Sequence, residues 1–142
     1  MIAARSGDVE GVEAASQSFY AALSVLDDGT RMEAVWANTP YVTYVGPSST
    51  SIIVGWNAQK QYWKSFNTEF VARSVSIVDT HVHVVGTLAW QIGVEIGHAM
   101  MKDGTRREID WIVTNVFEKI EGLWLMVSHH AQPKSLAGQT TR

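Results

Sequence analysis

"VFEKIEGLWLMVSHHAQP", residues 116–133, decides the fold. Apolar and polar residues alternate on both sides of Glu121-Gly122, which predicts two strands joined by a tight turn, because successive strand side chains point to opposite faces. Two adjacent histidines, His129 and His130, come near the end of the second strand. One must face the interior and the other must face away, so the register of the hairpin chooses which imidazole the interior receives.

The same period continues upstream. From Val71 onward the pattern predicts strands at about 71–85, 88–101, 106–119 and 123–131, with turns at Lys102–Thr105 and Ile120–Leu123. Asp103-Gly104 is a strong two-residue hairpin signal and Glu121-Gly122 a weaker one. Before Val71 the spacing is helical: Val12, Ala15, Phe19, Ala22, Leu23 and Leu26 mark an amphipathic helix over 9–27 with Asp8 as its cap. Thr30 and Glu33 fit a capping box opening a second helix to about Ala37, which Pro40 stops. YVTYV, residues 41–45, reads as a short strand, and residues 57–67 as a third helix turning Tyr62, Trp63 and Phe66 inward. The layout is α+β: three N-terminal helices packed on a strongly curved, mainly antiparallel sheet, a cone-shaped half-barrel. Residues 9–132 form a single domain, with 1–8 and 133–142 as flexible termini.

Two-residue turns set Phe117 opposite Met126, Asn115 opposite Ser128 and Val113 opposite His130. Across the Asp103-Gly104 turn they set Phe117 opposite Trp90, Asn115 opposite Ile92, Trp111 opposite Ile96 and Ile109 opposite His98. The face carrying Trp90, Ile92, Val94, Ile96, Trp111, Val113, Phe117, Trp124 and Met126 is then the covered one, and Gln91, Glu95, Asp110 and Glu118 lie outside. His130 points inward and His129 outward, provided neither turn hides a bulge. Asn115, Ser128 and His98 share the covered face. A buried polar group without a partner costs about 1–3 kcal/mol, so these residues either bond to one another as a core network or line a wet cavity.

Composition narrows the function classes. A chain of 142 residues, 46% hydrophobic and 18% charged, builds one core without staples. The absence of cysteine excludes disulfides, thiolate metal sites and a thiol nucleophile. A net charge of -3 with scattered Lys and Arg offers no basic stripe for nucleic acid. No stretch approaches the roughly 20 apolar residues of a membrane span, and the N-terminus lacks the apolar core of a signal peptide. The expectation is a cytoplasmic protein with no nucleic-acid or membrane partner. His81 and His83 could chelate a metal together with an acid, yet Glu95 lies twelve residues on and is expected to face outward, so no metal site is assigned. Whether Asp79, His81 and His83 face inward turns on whether the Gly86-Thr87 connection takes two residues or three.

Three stretches carry a family likeness. "VTNVFEKIEGLWLMVSHHAQP" (113–133) looks like the Thr-x-Val, turn, Gly-x-Trp and closing x-His ending of the SnoaL-like proteins, and "ALSVLDDGTRMEAVWA" (22–37) like their helix pair. "THVHVVGTLAW" (80–90) is similar to a strand of the calcium/calmodulin-dependent kinase II association domain. Over about residues 9 to 132 the chain resembles the SnoaL-like branch of the superfamily of ketosteroid isomerases, polyketide cyclases and nuclear transport factor 2-like cone folds. The resemblance implies that fold and a homodimer through the outer sheet face. It implies no single activity, because the superfamily hosts isomerases, dehydratases, epoxide hydrolases, cyclases and non-catalytic assembly modules. The catalytic tyrosine of ketosteroid isomerases falls on Phe19 and their aspartate base on Tyr44, so that isomerisation is not expected. The association domain's pocket arginine falls on Asn115. The closing-strand histidine of the family matches His130, and its usual serine two residues on is Gln132.

Together these readings predict a cavity for a small, largely apolar molecule. His130 is the expected catalytic acid or base, since an imidazole trades a proton near neutrality, with Tyr44 as a second catalytic donor. Asn115, Ser128 and His98 are expected to contact the ligand, and Trp36, Trp63, Trp90 and Trp111 to form walls. The chemistry would be isomerisation, cyclisation or dehydration without a cofactor. The alternative is a non-catalytic dimeric ligand-binding or assembly module.

Overall fold

The computed structural model describes residues 6–134. The expectation of flexible termini falls mostly outside that range; within it, residues 6–8 are helical and residue 133 is strand. The elements are α1 (Ser6–Leu23), α2 (Thr30–Val35), β1 (Thr43–Val45), β2 (Ile53–Val54), α3 (Trp56–Phe66), β3 (Phe70–Val85), β4 (Leu88–Met101), β5 (Arg106–Ile120) and β6 (Leu123–Pro133). A short 3₁₀ turn, Asn67–Glu69, joins α3 to β3. The fold is α+β with an open six-stranded sheet in the order β2-β1-β6-β5-β4-β3. It is a mixed sheet, because β1 runs parallel to β6 while the remaining pairs are antiparallel.

Most helical positions expected to face inward do so, although α1 ends at Leu23, before the expected Asp27, and leaves Leu26 outside the helix. Val12, Phe19, Tyr20, Ala22 and Leu23 of α1 are buried, as are Met32 and Val35 of α2 and Trp56 and Trp63 of α3. Their common core sits between the helices and one face of the sheet, against Phe117, Trp124 and Met126. The start of α2 differs from the expected capping box. Thr30 makes no cap bond; instead the Asp27 carboxylate accepts from the backbone N–H groups of Gly29 (2.8 Å) and Arg31 (3.2 Å). Asp8 lies within α1 and not at its cap, and its carboxylate accepts from Lys119 Nζ at 2.8 Å and Trp124 Nε1 at 3.3 Å.

Two departures from the expected register decide which residues the sheet turns inward. Glu121-Gly122 is a two-residue turn, both residues at positive φ (50° and 83°), and Phe117 pairs with Met126 as expected. Beyond that pair Val127 is an extra residue: Val116 pairs with Ser128, Asn115 with His129 and Thr114 with His130. A bulge of this kind inverts the facing of everything after it. His129 therefore enters the interior and His130 and Ser128 leave it, which corrects the expected assignment. The cause lies on the other edge of β6. Ala37 N–H donates to Met126 O at 2.9 Å, whereas β1 pairs with Ser128, His129 and His130, so two separate segments dock on either side of Val127.

The second departure is at Asp103-Gly104. Met101 N–H donates to Thr105 O at 2.8 Å, which makes Lys102–Gly104 a three-residue loop with Gly104 at φ 90°, not a two-residue turn. Gln91 consequently pairs with Asn115 and Glu95 with Trp111, one residue off the expected register. β4 is thereby inverted. Ala89, Gln91, Gly93, Glu95 and Ala99 are buried under the helices, while Trp90, Ile92, Ile96 and His98 are exposed on the outer face.

Candidate active site

The inverted β4 brings a polar cluster beneath α1. Ser16 and Tyr20 stand one helical turn apart on α1 and face the strand. Ser16 Oγ donates to Gln91 Oε1 at 2.7 Å, and the Tyr20 hydroxyl donates to Glu95 Oε2 at 2.8 Å. Asn115, wholly buried on β5, ties the two together through Nδ2, which lies 3.1 Å from the Tyr20 hydroxyl and 3.2 Å from Gln91 Oε1. Its Oδ1 then has one role left, that of acceptor. His129 Nδ1 lies 2.7 Å from it, so the network assigns the proton to Nδ1 and leaves Nε2 as a bare lone pair. Nε2 lies 3.8 Å from Glu95 Oε2. Tyr44 stacks on the imidazole, with centroids 5.1 Å apart and planes at 11°, and Phe19 packs at 5.0 Å.

Burial drives both ionisable members of this pair toward their neutral forms. The Glu95 carboxyl, 4% exposed, is pushed up to about 7 by desolvation, against the opposing hydrogen bond from Tyr20. The His129 imidazole is pushed down to about 3, chiefly by burial and further by its neighbour His130. A neutral imidazole so close to a carboxyl is an acceptor beside an acid and not one half of an ion pair. Burial also raises the Tyr20, Tyr44 and Tyr62 hydroxyls, which stay protonated.

Glu95 and His129 open onto a cavity of about 430 Å³, within the range of roughly 300–1,000 Å³ usual for small-molecule sites. Tyr44, Tyr62, Phe66, Phe70, Ile109 and Trp111 supply apolar and aromatic walls, and the loop from Gly46 to Ser51 borders it. Among the described residues no group of three His, Cys, Asp or Glu side chains stands close enough to hold a metal.

Of the residues expected to form the site, the structure gathers Tyr44, Asn115 and Trp111 at or directly behind the cavity. Trp36 and Trp63 are buried but do not line it: Trp36 packs edge-on to Phe19, and Trp63 stands behind Tyr44 with its Nε1 donating to Gln59 Oε1 at 2.9 Å. The others lie elsewhere. His130 is exposed on the outer face, His98 is exposed opposite Glu108, and Ser128 pairs its hydroxyl with that of Thr43 at 2.7 Å. Trp90 is 42% exposed and packs on His83 at 4.7 Å. A register shift between Val78 and His81 keeps Asp79, His81 and His83 on the surface, with His81 Nε2 3.3 Å from Asp79. Hydrophobicity alone misplaced Glu95, Gln91 and His129. The overlooked signal is size: Ala89, Gly93, Gly97 and Ala99 alternate with bulky Trp90, Ile92, Val94 and Ile96, and a sheet face closely covered by a helix takes the small set.

An open six-stranded mixed sheet packed against helices, with an aromatic-walled cavity on its covered face, defines the class as α+β. The sequence pattern of the SnoaL-like domain family matches residues 12–133, and the chain belongs to that family. No curated protein matches the sequence. Among solved structures, the chain is similar to a protein provisionally named a dehydratase of the NTF2-like family from Streptomyces avermitilis (22% identity, TM-score 0.81, 92% of this chain and 99% of that one). It is similar to a nuclear transport factor 2-like superfamily protein from Salmonella enterica serovar Typhimurium (17%, TM-score 0.85, 98% and 99%). A provisional calcium/calmodulin-dependent protein kinase type II association domain from Thiobacillus denitrificans is also similar (26%, TM-score 0.74, 87% and 94%).

Proposed function

We propose that this protein is an enzyme that moves a proton on a small, largely apolar molecule without a cofactor, in an isomerisation, cyclisation or dehydration. The observation that carries the reading is the Glu95 carboxyl, poised near 7 at the cavity wall with one oxygen held by Tyr20. A general base works best when its pKa lies near the working pH. Glu95 takes the proton from carbon and, now the acid, gives it back: to a different carbon in an isomerisation, to the new alkoxide in a cyclisation, or to the departing hydroxyl, which leaves as water, in a dehydration. His129 Nε2, oriented through Asn115, accepts a hydrogen bond from a substrate hydroxyl, and Tyr44 and Trp111 exclude water. The dehydratase name of the Streptomyces relative is consistent with this chemistry.

The test is deuterium incorporation at the acidic C–H positions of a panel of cyclic enones and hydroxyketones in D₂O, followed by NMR. Wild type should catalyse exchange on at least one member, and Glu95→Gln should lose a factor of about 10²–10⁴. Equal rates in the two proteins, or no exchange on any member, would reject the reading.

A second reading, an assembly module, is favoured by a specific feature. Trp90, Ile92, Ile96 and Ile112 are each 39–42% exposed on the outer face of β4 and β5, and contiguous apolar surface of this kind marks an interaction site. An isologous homodimer through that face would cover it. The two readings are compatible, because the cavity opens on the opposite face.

A further inference from the structure

Arg73 is a buried charged residue of the cavity wall that the proton-transfer scheme leaves unused. It is 7% exposed, yet no carboxylate among the described residues pairs with it. Its Nε donates to Leu23 O at 2.6 Å and its Nη2 to Asn67 Oδ1 at 2.7 Å, both neutral acceptors. The guanidinium lies over the rings of Phe70 and Phe66, 4.7 and 5.3 Å from their centroids. Nη1 is sealed from bulk water and has no hydrogen-bond partner among the described residues. A buried positive charge is costly unless an anion answers it, and a guanidinium with one edge held by neutral oxygens and its last nitrogen unpartnered still has donors to offer one.

The register supplies a second cation. Arg73 pairs with Ala99 and Ala99 with Arg107, so the three stand in one row across β3, β4 and β5 and project to the same face. All three line the cavity. With strands about 4.8 Å apart, the two arginine backbones are separated by roughly 10 Å, and the methyl group of Ala99 between them leaves a gap for a ligand. Ala99 stands four residues beyond Glu95 on β4, about 13 Å along the strand. The row therefore lies toward one end of the cavity and the acid–base pair toward the other.

We propose that Arg73 and Arg107 form an anion subsite, and that the substrate is a small, largely apolar carboxylate whose acid group anchors there while its reacting end meets Glu95. This rests on the reading of the cavity as a substrate pocket and adds the class of substrate. Phe66 and Phe70, flanking the guanidinium, favour an aryl or alicyclic body next to the acid.

The probes are 3-phenylpropionate and its neutral isostere 3-phenylpropanamide, titrated calorimetrically into wild type, Arg73→Met, Arg107→Met and Glu95→Gln. The carboxylate should bind wild type at least 10-fold tighter than the amide. That preference should vanish in Arg73→Met and shrink in Arg107→Met, with amide affinity unchanged. It should survive in Glu95→Gln. Should Arg73→Met fail to fold, the wild-type preference, its loss in exposed Arg107→Met and a shift of the Arg73 side-chain ¹⁵N resonances on adding carboxylate carry the test. Equal affinity for acid and amide, or no binding of the acid, overturns the anion subsite. The deuterium exchange of wild type against Glu95→Gln then still decides the proton-transfer reading by itself.

Discussion

Glu95 shows how one side chain's surroundings set both stability and chemistry. Its folded value of about 7 lies above the ordinary 4.5, so the native state holds a proton that the unfolded chain releases. The stabilisation this confers is complete below about 4.5 and is lost as the pH rises through about 7. His129 behaves oppositely: its value falls from 6.5 to about 3, so its contribution is present above 6.5 and is lost as the pH falls toward 3. Between 4.5 and 6.5 the two slopes largely cancel. Glu95→Gln, which mimics the protonated acid, should match wild type in urea unfolding below pH 4.5 and exceed it above pH 7. The excess should be about 3 kcal/mol, at roughly 1.4 kcal/mol per pKa unit. The catalysed exchange should rise with pH and level off above about 7, as expected for a base that must be ionised.

Strand β4 governs which polar groups reach the cavity, and Gly97 fits that strand against β3. Gly97 has φ 149°, and a Cβ there would stand 1.9 Å from Ser74 O. Gly97→Ala should cost more than about 3 kcal/mol in chemical denaturation. Gly104→Ala is the control: it also has positive φ, at 90°, but open space around it, and should cost only about 1 kcal/mol. A near-neutral Gly97→Ala would contradict the close β3–β4 contact. The helices and strands were legible in the sequence because their periods, 3.6 and 2, persist over many residues. The register was not. Lys102-Asp103-Gly104 closes as three residues where Asp103-Gly104 suggested two, and one residue is enough to exchange the faces of a strand.

For the whole molecule, the inverted strand moves apolar surface outward. Trp90, expected to wall the cavity, and Ile92, expected on the covered face, lie on the outer face with Ile96 and Ile112. If that face joins two copies, light scattering should give a mass of twice 15.7 kDa for wild type and 15.7 kDa for Trp90→Asp, with the thermal midpoint of the variant then insensitive to concentration. A wild type that is already monomeric would remove the dimer and leave the cavity chemistry untouched.

By itself the sequence determined the α+β layout, the positions of the four long strands, the inward faces of the helices and the burial of Asn115, because each rests on a periodic pattern or on local turn chemistry. Tertiary structure alone decided that His129 and not His130 is the interior imidazole, that Glu95 faces it, and that Arg73 and Arg107 share a row. Each of these depends on a one-residue offset, and the offset at Val127 is set by Ala37 and β1 docking on the far edge of β6. Those partners are distant in the chain, and no local pattern encodes where they land.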